Sequence, residues 1–142
     1  MNTFTDSMSA TAPTATTARR EVGMLVARLL LAALFLISGL AKIGAAEGTT
    51  AYIASAGLPF PALLYWLTLA VEVGGGVLLI IGYQTRYAAL VLGLFTLAAA
   101  VFFHADFADQ TQFTSFLKNL AIAGGMFMVT LSGPGRLSID RG

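Results

Sequence analysis

Cysteine is absent from the 142 residues, and histidine occurs once. Without cysteine the chain has no disulfide, no thiol nucleophile, no cysteine-held iron–sulfur cluster and no dithiol to reduce a quinone. One histidine excludes a haem held by two histidines of a single chain. With only scattered carboxylates around it, it lacks the spacing of a metal site, so no metal is expected. Charge is scarce as well. Asp, Glu, Lys and Arg make up 11% of the sequence, against roughly 25% in ordinary soluble chains. A net charge of +1 offers no basic surface for nucleic acid.

What the chain has in quantity is apolar: 57% of residues are hydrophobic and the mean hydropathy is +0.81. A chain of this length lacks the polar surface to keep such a core in water, so its expected partner is the lipid bilayer. Residues 1–20, rich in Thr, Ala and Ser, read as a disordered tail ending in Arg19 and Arg20. Residues 21–142 form one domain with four apolar segments, at about 22–43, 62–82, 87–104 and 116–132, each near the ~20 residues a spanning helix needs. "GLPFP" introduces the second, "QTR" joins it to the third, "HADFADQTQ" precedes the fourth and "GPG" ends it. Short connections predict an all-α membrane fold, an up-down-up-down antiparallel bundle of four transmembrane helices. Arg19, Arg20, Arg28, Arg86, Arg136 and Arg141 fall on one side, and only Lys42 and Lys118 on the other. The excess of basic residues predicts that both termini are cytoplasmic.

"LTLAVEVGGGVLLIIG" places Glu72 inside an apolar run. An ionisable group at bilayer depth costs at least ~2.5 kcal/mol and therefore turns inward to a partner. Helical spacing puts Tyr65, Thr68, Glu72, Gly75, Gly76 and Tyr83 on one face of span two, and Arg28, Ala32, Phe35, Gly39 and Lys42 on one stripe of span one. Depth estimates at 1.5 Å per residue favour Arg28 over Lys42 as the counter-charge of Glu72. Such a pair can fix the register of two helices, or it can mark a proton relay or ligand site. At the opposite end, Lys42, His104, Asp106, Lys118 and Asn119 form a second polar group. Lys42, His104 and Lys118 are expected around one outward-facing pocket, suited to an anionic or quinone headgroup. Tyr65, Trp66, Tyr83 and Tyr87 flank span ends as an interfacial belt would, with Phe102, Phe103, Phe107 and Phe113 at the outer side.

"RLLLAALFLISGLAKI", "LAVEVGGGVLLIIGYQTRYAAL" and "FLKNLAIAGGMFMVTLSGPGRLSID" together resemble the DoxX family of small bacterial inner-membrane proteins. The resemblance runs from Arg28 to Asp140 and reaches Arg28, Gly39, Lys42, Glu72, Arg86, His104, Lys118 and Asn119. It implies a multi-pass protein of the bacterial inner membrane with a link to respiratory or oxidative-stress redox chemistry. The expected function is a membrane subunit or anchor of such an assembly, with redox partner proteins, a quinone as its one candidate cofactor, and homo-oligomerisation as a further expectation. No catalytic motif is present, so the chain is at most one subunit of an oxidoreductase. A small proton-coupled transporter and a purely structural assembly factor are the alternatives.

Overall fold

The computed structural model describes residues 14–141. Helix α1 spans Ala15–Ile43 and α2 spans Ala46–Ser55. The next span has three consecutive pieces: α3 (Pro61–Leu69), a π-helical turn (Ala70–Gly74) and α4 (Gly75–Ile81). Helices α5 (Thr85–Phe103) and α6 (Gln110–Ser132) complete the order. Helix α1, the α3–α4 unit, α5 and α6 are each long and apolar enough to cross a membrane.

Contacts between residues far apart in sequence fix how these helices run. The Tyr65 hydroxyl donates to the Lys42 carbonyl, whereas Arg28 reaches the Ile80 carbonyl, so α1 and the α3–α4 unit are antiparallel. Gly75 lies against Leu92, and Gly93 against Met126 and Phe127. Arg86, near the start of α5, donates to the carbonyls of Thr130 and Leu131 at the end of α6. Each long helix therefore runs opposite to its predecessor. The centre of the bundle is filled by Ala32, Phe35, Leu79, Ala89, Leu92 and Met126.

Three boundaries differ from expectation. Helix α1 begins at Ala15 rather than near Val22, so Ala15–Arg20 belong to a helix and not to an irregular tail. The Thr14 hydroxyl caps it by accepting from the Thr17 amide. The rest of the expected tail, residues 1–13, lies outside the described residues. Helix α6 begins at Gln110 rather than near Phe116 because Asp109 caps it, its carboxylate accepting from the amides of Thr111 and Gln112 at 2.8 and 2.9 Å. The third difference is α2, which has too few apolar residues to show a period. Its seat is tertiary: Ile53 packs with Tyr65 and Leu69.

The α1 and α3–α4 backbones approach closely at glycines. A Cβ placed at Gly39 would lie 2.7 Å from Val73 Cγ2 and 3.2 Å from Glu72 Cβ; one at Gly76 would lie 2.7 Å from Leu36 Cγ. Hydrogen at these positions is what lets two helices sit this near each other. At the other end of the bundle the chain after α6 folds back along the α4–α5 turn. Ile139 and Asp140 donate their amides to the carbonyls of Ile81 and Gly82.

Candidate functional site

Helix α1 displays its polar stripe as the spacing predicts: Arg28, Ala32, Phe35 and Gly39 are buried and Lys42 is half-buried. The pairing along the stripe is different. Glu72, 5% exposed, is bound by Lys42, whose Nζ lies 3.0 Å from Oε1 and 2.9 Å from Oε2. Ser38 completes a closed triangle. Its hydroxyl donates to Glu72 Oε1 at 3.1 Å and accepts from Lys42 Nζ at 2.7 Å.

Arg28, expected opposite Glu72, is elsewhere. Its Nη1 donates to the Pro134 carbonyl and its Nη2 to the Leu137 carbonyl, both at 2.7 Å, with Ile80 O at 3.5 Å. The reason is the lean of helical side chains toward the N-terminus of their own helix. Gly39 is the α1 residue level with Glu72, and Arg28 lies eleven residues below it, roughly 16 Å along the axis. From there Arg28 leans further away. In the antiparallel neighbour Glu72 leans toward the Lys42 end, and Lys42 leans back to meet it. Side-chain direction, had it been added to spacing, would have selected Lys42. Ser38, four residues before Lys42 on the same face, could have been found in the same way.

Above this triangle is a cavity of about 470 Å³, within the range of small-molecule sites. Its walls are mostly apolar and aromatic, with Phe35, Phe95, Phe102 and Phe103 among them. Lys42, Glu72, His104 and Asn119 all line it, together with Ser38 and Thr68. Two groups expected at separate depths of the bundle thus share one space. Lys118 is the exception: it is exposed and does not line the cavity, because its neighbour Asn119 takes the inward position on α6. His104 ends the inward face of α5, with Thr96 and Ala100 buried behind it. Its Nδ1 lies 2.7 Å from Gln112 Oε1.

Helix α2, absent from the sequence reading, contributes Thr49, Tyr52 and Ile53 to the cavity wall. Tyr52 stacks on Phe103 with ring centroids 5.1 Å apart, and its hydroxyl donates to the Phe103 carbonyl. Tyr65, expected both on the inward face of span two and in the interfacial belt, takes the inward place: it is buried beneath α2, its hydroxyl on the Lys42 carbonyl. Trp66, Tyr83 and Tyr87 are exposed. Tyr83 was also expected on the inward face of span two. Helix α4 ends at Ile81 and Gly82 turns the chain with a left-handed φ of 69°, so Tyr83 lies past the helix and no longer follows its face.

The opposite end has a different chemistry. The guanidinium groups of Arg28 and Arg86 are occupied by backbone carbonyls. Asp140 caps α5, its carboxylate accepting from the amides of Gln84 and Thr85, each at 2.9 Å. These groups close the fold.

Four long apolar helices around a buried ion pair and a lined cavity define a multi-pass membrane protein with an internal polar site. The chain belongs to the DoxX family, whose model matches residues 23–105. It is 40% identical over 121 residues to inner membrane protein YqjF of Escherichia coli (strain K12), covering 85% of this chain and 92% of that protein. Inner membrane protein YphA of the same organism is 35% identical over 130 residues, 87% of this chain and 92% of its own length. CatD of Bacillus subtilis (strain 168), a candidate oxidoreductase by its name, is 31% identical over 114 residues, 76% of this chain and 84% of that protein. No solved structure matches the chain.

Proposed function

We propose that this protein is a membrane subunit of a redox assembly in the bacterial inner membrane, and that its cavity takes the headgroup of a quinone. The cavity is the observation that carries the reading. Phenylalanine walls suit a planar ring, and a few polar groups on the Glu72 and His104 sides suit its oxygens. An anionic guest is disfavoured, because Glu72 already neutralises Lys42. With no cysteine in the chain, thiol chemistry falls to a partner protein. The oxidoreductase name of CatD and the inner-membrane names of YqjF and YphA are consistent with this role.

The test is purification in mild detergent followed by mass spectrometry of bound quinones and proteins. A copurifying quinone is expected from the native chain, and Ala99→Phe, which fills the cavity from α5, is expected to lose it. Equal quinone in both preparations would place the ligand outside the cavity. Substrate-driven uptake by vesicles holding the purified protein, with no quinone bound, would replace this reading with the transporter.

A further inference from the structure

Helix α2 has a second face. Thr49, Tyr52 and Ile53 line the cavity, whereas Ala46, Ala51 and Ala54 wall a separate groove of about 700 Å³ that opens to the outside of the bundle. Ala62 of α3 faces them, and Glu47 and Trp66 are set in the same walls. The groove and the cavity share no lining residue. We propose that the groove holds a phospholipid with a primary-ammonium headgroup, a phosphatidylethanolamine. Glu47 receives the ammonium and the indole N–H of Trp66 meets the phosphate.

Depth selects a lipid as the occupant. Ile53 packs with Tyr65 and Leu69, so α2 lies beside α3 and not above it. Trp66 stands five residues past Pro61, about 7.5 Å along the axis, and is exposed. Indole rings collect where headgroups meet hydrocarbon, so the molecules adjoining the groove are phospholipids. Its alanine walls leave room for a chain and offer it only methyl groups. Charge then selects the headgroup. Thr50 donates its hydroxyl to the Ala46 carbonyl at 2.8 Å, and Tyr65 donates to the Lys42 carbonyl at 3.2 Å. Among the described residues, the Glu47 carboxylate and the Trp66 indole N–H have no such partner, and Lys42 is the cation of Glu72. The groove thus presents one anionic acceptor and one neutral donor.

A zwitterionic headgroup carries the complements: an ammonium with three N–H donors and a phosphate that accepts. Ammonium on carboxylate is a charge-assisted hydrogen bond, roughly twice as strong as a neutral one. The quaternary nitrogen of a choline headgroup has no N–H to give. A glycerol headgroup leaves the phosphate charge facing Glu47 uncompensated. In the first turn of α2, Glu47 also complements the helix dipole, which accounts for its charge but not for the groove it shares with Trp66.

Native mass spectrometry of the delipidated protein tests the proposal, with phosphatidylethanolamine, phosphatidylcholine and phosphatidylglycerol of identical chains as probes. The ethanolamine lipid is expected to bind about tenfold more tightly than the glycerol lipid, with the choline lipid between them. Glu47→Gln should abolish that preference while leaving the melting temperature in lipid-free detergent nearly unchanged, since Glu47 is exposed. Trp66→Phe keeps a ring but loses the N–H, and should weaken all three lipids alike through their common phosphate. Ala99→Phe fills the quinone cavity and not the groove, so it should keep the preference. Equal affinities for the three headgroups overturn the proposal, as does a preference that survives Glu47→Gln. Undiminished affinity in Trp66→Phe overturns the part of the indole. Loss of the preference in Ala99→Phe would move the lipid into the cavity and overturn the groove as its site.

Discussion

Lys42 and Glu72 form an ion pair whose two members lie on helices that would otherwise bury uncompensated charges. Removing one partner from such a pair typically costs 3–5 kcal/mol, and removing both is often tolerated. Glu72→Gln and Lys42→Met are each expected to lower thermal stability in detergent sharply, with the double variant recovering much of the loss. Arg28→Met should also destabilise, since it leaves the carbonyls of Pro134 and Leu137 without their donor. Its effect should simply add to that of Glu72→Gln, because the two residues share no partner. Coupling between positions 28 and 72, or none between 42 and 72, would contradict the geometry. At this scale the sequence showed which residues turn inward but not which of them meet. Periodicity places a Cα on a face; the meeting of two charges also depends on the relative height of the helices and the lean of their side chains.

Between residue and molecule stand the turns and caps, several of which are made by segments distant in sequence. The seat of α2 on Tyr65 and Leu69 and the capping of α5 by Asp140 both depend on tertiary contacts, and the π turn carries Glu72 into its own. None of them has a local signature. The glycines of "VGGGV" were legible as a close approach but not individually. Gly76 packs on Leu36, whereas Gly74 has open space where a Cβ would go. Gly76→Ala should therefore destabilise by about 1–3 kcal/mol through overpacking. Gly74→Ala should be neutral or slightly stabilising, since alanine is the better helix former. Equal melting temperatures for the two variants would argue against the close packing of α1 on α4. The C-terminal cap makes a prediction in pH. Hydrogen bonds from the Thr85 amide, then the Gln84 amide, favour the charged carboxylate of Asp140 and hold its pKa below the ordinary value. A depressed folded pKa adds stability above the unfolded value of about 3.9, and that stability is lost as pH falls through the folded value. The group is exposed, so the term is small. Asp140→Asn should lower stability at neutral pH and flatten the acid limb of the melting-temperature profile. An unchanged acid limb would remove Asp140 from it.

Across the whole molecule, four apolar segments with so little charge between them pointed to a membrane-spanning helical bundle in advance, although the connection between the first two carries helix α2 rather than a short turn. The cavity was legible only in part: of Lys42, His104 and Lys118, expected around one pocket, the first two line it and Asn119 takes the place of Lys118, while its depth down to Glu72 and its cover by α2 were not read. Pockets are made by what packing leaves unfilled, and no residue pattern encodes that directly. The two ends of the bundle differ in charge. Glu21 accepts from the Arg136 amide, so the start of α1 and the segment after α6 share one end, which also holds Arg28 and Arg86. Lys42 and His104 mark the other. At 1.5 Å per residue, α1 is about 43 Å long, more than the ~30 Å hydrocarbon core, which leaves its basic first turns outside the lipid. An excess of arginine on one side favours the cytoplasm, and the cavity would then lie toward the outer face of the inner membrane. The absence of cysteine makes a direct test available, because any introduced thiol is unique. Asp106→Cys, in the α5–α6 connection, should react with a membrane-impermeant maleimide on intact spheroplasts. Gln84→Cys, in the α4–α5 turn, should react only after the membrane is opened. The reverse pattern would invert the bundle and move the Lys42–Glu72 cavity to the cytoplasmic side.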